Sequence, residues 1–118
     1  MSRDTLKHAR TVVIKVGSSL LASPGGGGLD SAFVYALVGE LARLRTLDKQ
    51  TVLVSSGAVA AGVVELGMTE RPTSLPEVQA AAAVGQSVLM QLYRDAFAFH
   101  KMTVGQVLLT RDDLQHRE

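Results

Sequence analysis

Apolar and polar residues fall into blocks along this chain, and each block has the period of a strand or a helix. Thr11 to Val16 is a β-branched run interrupted by Lys15, and Thr51 to Ser55 is a second, nearly all apolar run. Such runs are typical of strands buried on both faces of a parallel sheet. A third strand is predicted at about Thr103 to Leu109, followed by a helix that Thr110 would cap.

Helices separate the predicted strands, and local signals mark where they begin. Asp30 is the predicted N-cap of a helix that runs to about Leu47, and a second helix is predicted from Ala58 to Leu66. Ser74 and Glu77 have the spacing of a capping box at the start of a long third helix. The apolar stripe expected on the first helix is Phe33, Leu37, Leu41 and Leu44, with Val34 and Val38 beside it.

The alternation of strands and helices predicts an α/β fold. Strands separated by helices of this length pair in parallel, which indicates a three-layer αβα sandwich with a mainly parallel sheet. Three strands are few for an open parallel sheet that is covered on both faces, and the last helix has barely begun at Glu118. We therefore expect residues 1–118 to be the N-terminal half of one larger domain.

Composition narrows the classes of function. A net charge of +1 without a basic block gives no reason to expect nucleic-acid binding, and no apolar stretch is long enough to span a bilayer. The absence of cysteine excludes disulfides and thiolate metal sites and is most simply explained by a reducing cytoplasm. The three histidines have no metal-ligand spacing, so no protein-held metal is predicted.

The first candidate site follows the first strand, where Lys15 precedes Gly17, Ser18 and Ser19. A fixed positive charge beside a turn with free amides and hydroxyls suits a phosphate, and Gly17 would permit a positive φ. The order of residues is not that of a Walker loop, because the lysine precedes the glycine. The alternative is a strand-end lysine whose stem covers apolar surface while its charge stays in water.

The second candidate site follows the second strand, at Ser56, Gly57 and Ala58. A helix N-terminus presents free N–H groups that suit a carboxylate or a phosphate, although an ordinary N-cap explains the same residues. Ligands of parallel sheets bind beyond the carboxyl ends of the strands, so the two candidates support each other. The Gly25–Gly28 run between them is most simply a flexible solvent loop, with a phosphate lid as the alternative.

With these residues placed, the chain resembles the amino acid kinase family. VVIKVGSSLL at residues 12–21 resembles its first strand and phosphate loop, and VLVSSGAVAAGVVELG at residues 52–67 resembles its second strand and substrate loop. The stretches LPEVQAAAAVGQSVLMQLYRDAF and VGQVLLTRDDL, between residues 75 and 114, are more selective. They resemble the members of the family that phosphorylate glutamate.

The resemblance implies transfer of the ATP γ-phosphoryl group to the side-chain carboxylate of L-glutamate, with Mg²⁺. This is the first step of proline synthesis in that branch, and proline is its feedback inhibitor. Carried over by position, Lys15 is the catalytic lysine and binds the ATP phosphates. The other phosphate contacts are Gly17, Ser18 and Ser19. The glutamate contacts are Ser56, Gly57 and Ala58.

The resemblance also implies residues beyond Glu118. Members of the family continue into a C-terminal part of the kinase domain, and many glutamate-phosphorylating members carry a PUA domain after it. We therefore expect this chain alone to be inactive and the full-length protein to be a homo-oligomer. Two alternatives stay open: a sibling kinase acting on N-acetylglutamate, aspartate, carbamate or UMP, and a non-catalytic ligand-binding or assembly fragment.

Overall fold

Two strands run in parallel, and the helical segment between them makes the crossover that parallel pairing requires. The computed structural model describes residues 7–109, 112 and 115. Strands β1 (Thr11–Val16) and β2 (Gln50–Ser55) pair with Thr11 opposite Gln50 and Val16 opposite Ser55. The helices are α1 (Ser18–Leu21), α2 (Ser31–Thr46), α3 (Ala58–Glu65) and α4 (Leu75–Phe99). The predicted α/β class is confirmed.

Helix α2 begins where the sequence predicts. The Asp30 carboxylate accepts a hydrogen bond from the Phe33 backbone N–H at 3.1 Å, so one of the unpaired donors of the first turn is satisfied. The buried line of the helix is Val34, Val38 and Leu41. The expected stripe is therefore rotated by one position, since Phe33, Leu37 and Leu44 lie only half-buried at its side.

Helix α4 begins with the predicted capping residues. Ser74 Oγ accepts a hydrogen bond from the Glu77 backbone N–H at 3.4 Å and donates one to Glu77 Oε1 at 2.8 Å. The helix then runs for 25 residues to Phe99, which makes it the longest element of the described chain. No helix among the described residues combines the length and apolar character needed to cross a membrane.

The core lies between α2, α4 and one face of the sheet. Ile14 and Leu53 pack against it from the two strands. The buried members of this core are Val16, Leu21, Val34, Val38, Leu41, Leu89, Tyr93, Ala96 and Phe97. Burial of these side chains is what holds the helices on the sheet, because each one removes apolar area from water.

The other face of the sheet is open, which corrects the expectation that both strands are buried on both faces. Val13 is 64% exposed, and Val52 and Val54 are also exposed on this face. Lys15 lies on it as well and is exposed. In the described chain the helices that build the core pack on the opposite face, so an apolar strand pattern here does not mean that both faces are covered.

The predicted third strand is wrong, because the structure places no strand between residues 103 and 109. Within the described residues, β1 and β2 pair only with each other. Val107, Leu108 and Leu109 are exposed, and only Val104 packs against the core from this segment. An apolar sequence becomes a strand only when a neighbouring strand satisfies its backbone groups. The helix expected at Thr110 lies outside the described residues.

Helices α3 and α4 cross in direct backbone contact. A Cβ added at Gly85 of α4 would lie 1.6 Å from the Ala58 carbonyl oxygen, and one added at Gly62 of α3 would lie 1.8 Å from the Ala81 carbonyl oxygen. Neither position has room for a methyl group. Gly62 and Gly85 therefore allow the backbones of α3 and α4 to lie in contact, because glycine has no side chain to separate them.

We expect Gly85→Ala to lower the free energy of unfolding by at least about 2 kcal/mol, because the new methyl group must push two backbones apart. Urea denaturation of the chain followed by far-ultraviolet circular dichroism measures this change. Gly27→Ala is the matched control, since no heavy atom lies within 4 Å of a Cβ built there. Equal stability of the two variants would show that the helices are not in contact at Gly85.

Candidate functional site

The loops that follow β1 and β2 lie side by side at the carboxyl edge of the sheet. The Ser56 backbone N–H donates to the Val16 carbonyl oxygen at 3.0 Å, which extends the pairing one residue beyond β2. Ser56 thus begins its loop in contact with the end of β1. The expectation that the two candidate sites share one edge of the sheet is met by this contact.

The loop after β1 turns at once into the short helix α1. Gly17 is its N-cap with φ −80° and ψ 162°, so the positive φ considered for this glycine does not occur. Nothing lies within 4 Å of a Cβ built at Gly17. The glycine leaves the loop uncrowded rather than giving it an unusual backbone conformation. Ser18 and Ser19, which follow it, are exposed.

Gly57 is the position where the loop after β2 does require glycine. Its φ is +108°, a conformation that L side chains rarely adopt. A Cβ there would also lie 3.1 Å from Leu21 Cδ1 and 3.3 Å from Leu29 Cδ2. The residue is buried under these two leucines. Backbone conformation and packing therefore both select glycine at the entrance to α3.

Helix α3 presents unpaired amides at its N-terminus. The Ala61 N–H donates to the Gly57 carbonyl oxygen at 3.1 Å, and the N–H groups of Ala58, Val59 and Ala60 precede this first bond of the helix. No side chain of the described residues caps them. The positive end of the helix dipole lies at the same place, so this wall of the site attracts an anion.

A cavity of about 290 Å³ lies where the two loops and α3 meet. It brings together four of the predicted site residues: Ser18, Ser56, Gly57 and Ala58. Val59 and Ala60 of α3 complete the wall, and Arg71 contributes the one charged side chain of the lining. The predicted residues Lys15, Gly17 and Ser19 lie outside this lining.

Arg71 is a cavity residue that the sequence analysis missed. It belongs to the loop between α3 and α4, and the next residue, Pro72, is buried and anchors that loop. Arg71 forms no ion pair with any described residue. An isolated Arg-Pro pair between two helices is a weak signal, because only the path of the loop brings the guanidinium back to the strand ends.

Lys15 lies near the end of β1 and faces the open side of the sheet. Successive strand residues point to opposite faces, so Val16 enters the core while Lys15 stays exposed across from Val54. Within the part of the chain that is described, Lys15 takes no part in an ion pair. Its charge is therefore accessible to a ligand that approaches from the open face.

Tyr93 connects α4 to the last residue of β2 and was not predicted as part of the site. Its hydroxyl lies 2.7 Å from Ser55 Oγ, and the Ser55 hydroxyl donates to the Ser56 carbonyl oxygen at 2.9 Å. Burial raises the pKa of Tyr93, and the hydrogen bond with Ser55 opposes that rise. The sequence shows Tyr93 only as one apolar position of a helix, because its partner is distant along the chain.

The Gly25–Gly28 loop is folded back on itself, and its first three glycines are exposed, as expected of a solvent loop. The Ser23 N–H donates to the Gly28 carbonyl oxygen at 2.7 Å, and Ala22 pairs with Leu29 in an antiparallel bridge. Gly28 is buried, and a Cβ there would lie 3.4 Å from Val64 Cγ2 of α3. The C-terminal end of the loop therefore packs against α3.

The described residues that line the cavity do not provide the donor set of a protein-held metal ion. Its lining carries hydroxyls, amides and one guanidinium but no carboxylate. Mg²⁺ prefers carboxylate and phosphate oxygens. The described residues therefore offer a site for an anion.

Comparison with known proteins gives one consistent result. The family model of the amino acid kinase family matches residues 10–118. The chain is 48% identical over 118 residues to a glutamate 5-kinase of Pelobacter propionicus, covering 100% of this chain and 31% of that protein. It is 53% identical over 115 residues to a glutamate 5-kinase of Salinispora arenicola, covering 98% of this chain and again 31% of that protein. It thus spans under one third of these relatives.

We expect Gly57→Ala to destabilise the chain by about 1–3 kcal/mol, because the new side chain combines backbone strain with crowding against Leu21 and Leu29. Thermal or urea unfolding measures the loss. Gly67→Ala is the control, since Gly67 has φ +69° with nothing within 4 Å of its Cβ. A Gly57→Ala chain no less stable than Gly67→Ala would contradict the described packing.

Proposed function

Because the chain belongs to the amino acid kinase family, we propose that it forms part of a glutamate 5-kinase. The reaction would transfer the γ-phosphoryl group of ATP to the side-chain carboxylate of L-glutamate. The observation that carries this proposal is the cavity that joins Ser18, after β1, to the Ser56–Ala58 stretch after β2. Its free amides and its guanidinium suit the anionic groups of both substrates.

The proposed step needs positioning and charge stabilisation rather than a protein nucleophile. A carboxylate oxygen of glutamate forms a bond to the γ-phosphorus, and the bond from that phosphorus to the bridging oxygen breaks. ADP leaves with the electron pair of the broken bond. The carboxylate is ionised at neutral pH, so no general base is required.

The proposed site residues form two groups, one that binds glutamate and one that binds ATP. Ser56, Gly57 and Ala58 would hold the glutamate with amides and a hydroxyl at the positive end of α3. Gly17, Ser18 and Ser19 would surround the phosphates of ATP. Lys15, exposed beside them, would stabilise the charge that develops on the transferred group. The described residues of the cavity lining include no carboxylate, so Mg²⁺ would be held by the ATP phosphates.

The proposal includes the context that the family implies. Residues 1–118 would form part of a single kinase domain that acts in the cytoplasm, as a homo-oligomer in the full-length protein. Proline would inhibit the reaction. The sibling acceptors N-acetylglutamate, aspartate, carbamate and UMP are the alternatives that the first experiment separates.

In the natural polypeptide that contains residues 1–118, we expect L-glutamate to support ATP-dependent ADP release at least roughly tenfold faster than each sibling acceptor. Hydroxylamine trapping identifies the acyl phosphate product. A preference for another acceptor would assign the protein to a sibling kinase. Glutamate binding without ADP release would instead indicate a ligand-binding module.

In the same polypeptide, Lys15→Met should lower kcat by roughly a hundredfold, because it removes a charge that stabilises the transition state. Steady-state ADP release at saturating ATP and glutamate measures kcat. Lys101→Met is the control, since Lys101 is exposed at the end of α4 and outside the cavity lining. Unchanged kcat in Lys15→Met would leave Lys15 as a surface residue.

A further inference from the structure

Two consecutive hydrogen bonds connect the C-terminal half of α4 to the wall of the cavity. The first joins the Tyr93 hydroxyl to Ser55 Oγ at 2.7 Å, and the second joins Ser55 Oγ to the Ser56 carbonyl oxygen at 2.9 Å. Ser56 lines the cavity, whereas Tyr93 and Ser55 do not. A residue of the core helix therefore reaches the site through one intermediate side chain.

The direction of the two bonds follows from the groups involved. A carbonyl oxygen only accepts, so the single hydroxyl hydrogen of Ser55 is used at Ser56. Ser55 Oγ must then accept from Tyr93, whose hydroxyl is the donor of the first bond. Tyr93 is only 4% exposed, and burial favours the neutral, protonated phenol that this donation requires.

The second bond fixes the orientation of one peptide group. The peptide between Ser56 and Gly57 is planar and trans, so its carbonyl and its N–H point in opposite directions. Holding the Ser56 carbonyl toward Ser55 Oγ therefore turns the Gly57 N–H away from Ser55. This peptide leads into Gly57, whose φ of +108° sets the direction in which the chain enters α3.

We propose that Tyr93 is a positioning residue for the amino-acid substrate, because its hydroxyl acts through Ser55 to hold the Ser56–Gly57 peptide against which that substrate binds. The inference rests on the proposed function of the cavity. If this is correct, α4 contributes to substrate affinity as well as to the core, and these two contributions come from different groups of Tyr93.

The hydroxyl, rather than the ring, is the group that this role needs. The Tyr93 ring packs in the core, with its centroid 6.5 Å from that of Phe97, and a phenylalanine would fill the same space. Burying a hydroxyl is unfavourable unless it is hydrogen-bonded. The bond to Ser55 satisfies it, and no buried side-chain polar atom of the described residues lacks a partner.

The test is Tyr93→Phe in the natural polypeptide that contains this chain, with Tyr35→Phe as the matched control. Tyr35 is 42% exposed on α2 and lies outside the cavity lining. We expect Tyr93→Phe to raise the KM for L-glutamate about three- to tenfold, with kcat and the KM for ATP unchanged. Tyr35→Phe should change none of them. A loss of kcat at unchanged KM is what a merely structural role gives, and it would overturn the proposal.

Ser55→Ala is the second variant, in case Tyr93→Phe does not fold. It should raise the same KM, and the double variant should be no worse than either single one, because both changes break one connection. Additive effects would contradict a shared path. If wild-type protein phosphorylates none of the acceptors, the proposed function fails, and the amide resonances of Ser56 and Gly57 in the natural polypeptide decide the positioning role. They should shift in Tyr93→Phe and not in Tyr35→Phe, and unshifted resonances would overturn the proposal.

Discussion

The crossing of α3 over α4 is the contact on which the geometry of the site depends. At Gly85 the backbone of α4 touches the Ala58 carbonyl of α3, and at Gly62 the relation is reversed toward Ala81. No side chain lies between the two helices at these points to absorb a displacement. Close-packed interiors transmit such displacements instead of damping them. The first residue of α3, which lines the cavity, is therefore positioned directly by α4.

Local chemistry explains why most elements could be predicted from the sequence. The Asp30 cap, the Ser74–Glu77 pair and the β-branched runs act within a few residues, so the bounds of β1, α2 and β2 and the start of α4 agree with the predicted ones within about a residue. The exceptions depend on contacts between segments that are distant along the chain. The apolar run at residues 103–109 forms no strand, because no described strand pairs with it. The face of the sheet that carries Val13 is open, because the described core lies on the opposite face.

The same distinction separates the predicted and the missed parts of the site. Ser18 and the Ser56–Ala58 stretch could be predicted because they follow two parallel strands directly, and parallel strands end at one edge. Arg71 and Tyr93 could not, because they reach that edge only through the path of a loop and the crossing of two helices. The sequence identifies residues with suitable chemistry, but the packing of α4 decides which of them meet.

The two sides of the site differ in the kind of group they offer. Beside β1, Lys15 offers a mobile charge on an open face, whereas the entrance to α3 offers amides that are fixed by Gly57 and by the contact at Gly85. In the proposed reaction this difference matches the needs of the substrates. An acceptor carboxylate must be held in one orientation for in-line attack, and rigid amides suit that purpose. The transferred phosphoryl group changes its position and charge during the step, and a flexible lysine can follow it. The rigid half is the one that α4 controls, so residues far from the reacting atoms should affect acceptor affinity more than they affect the donor.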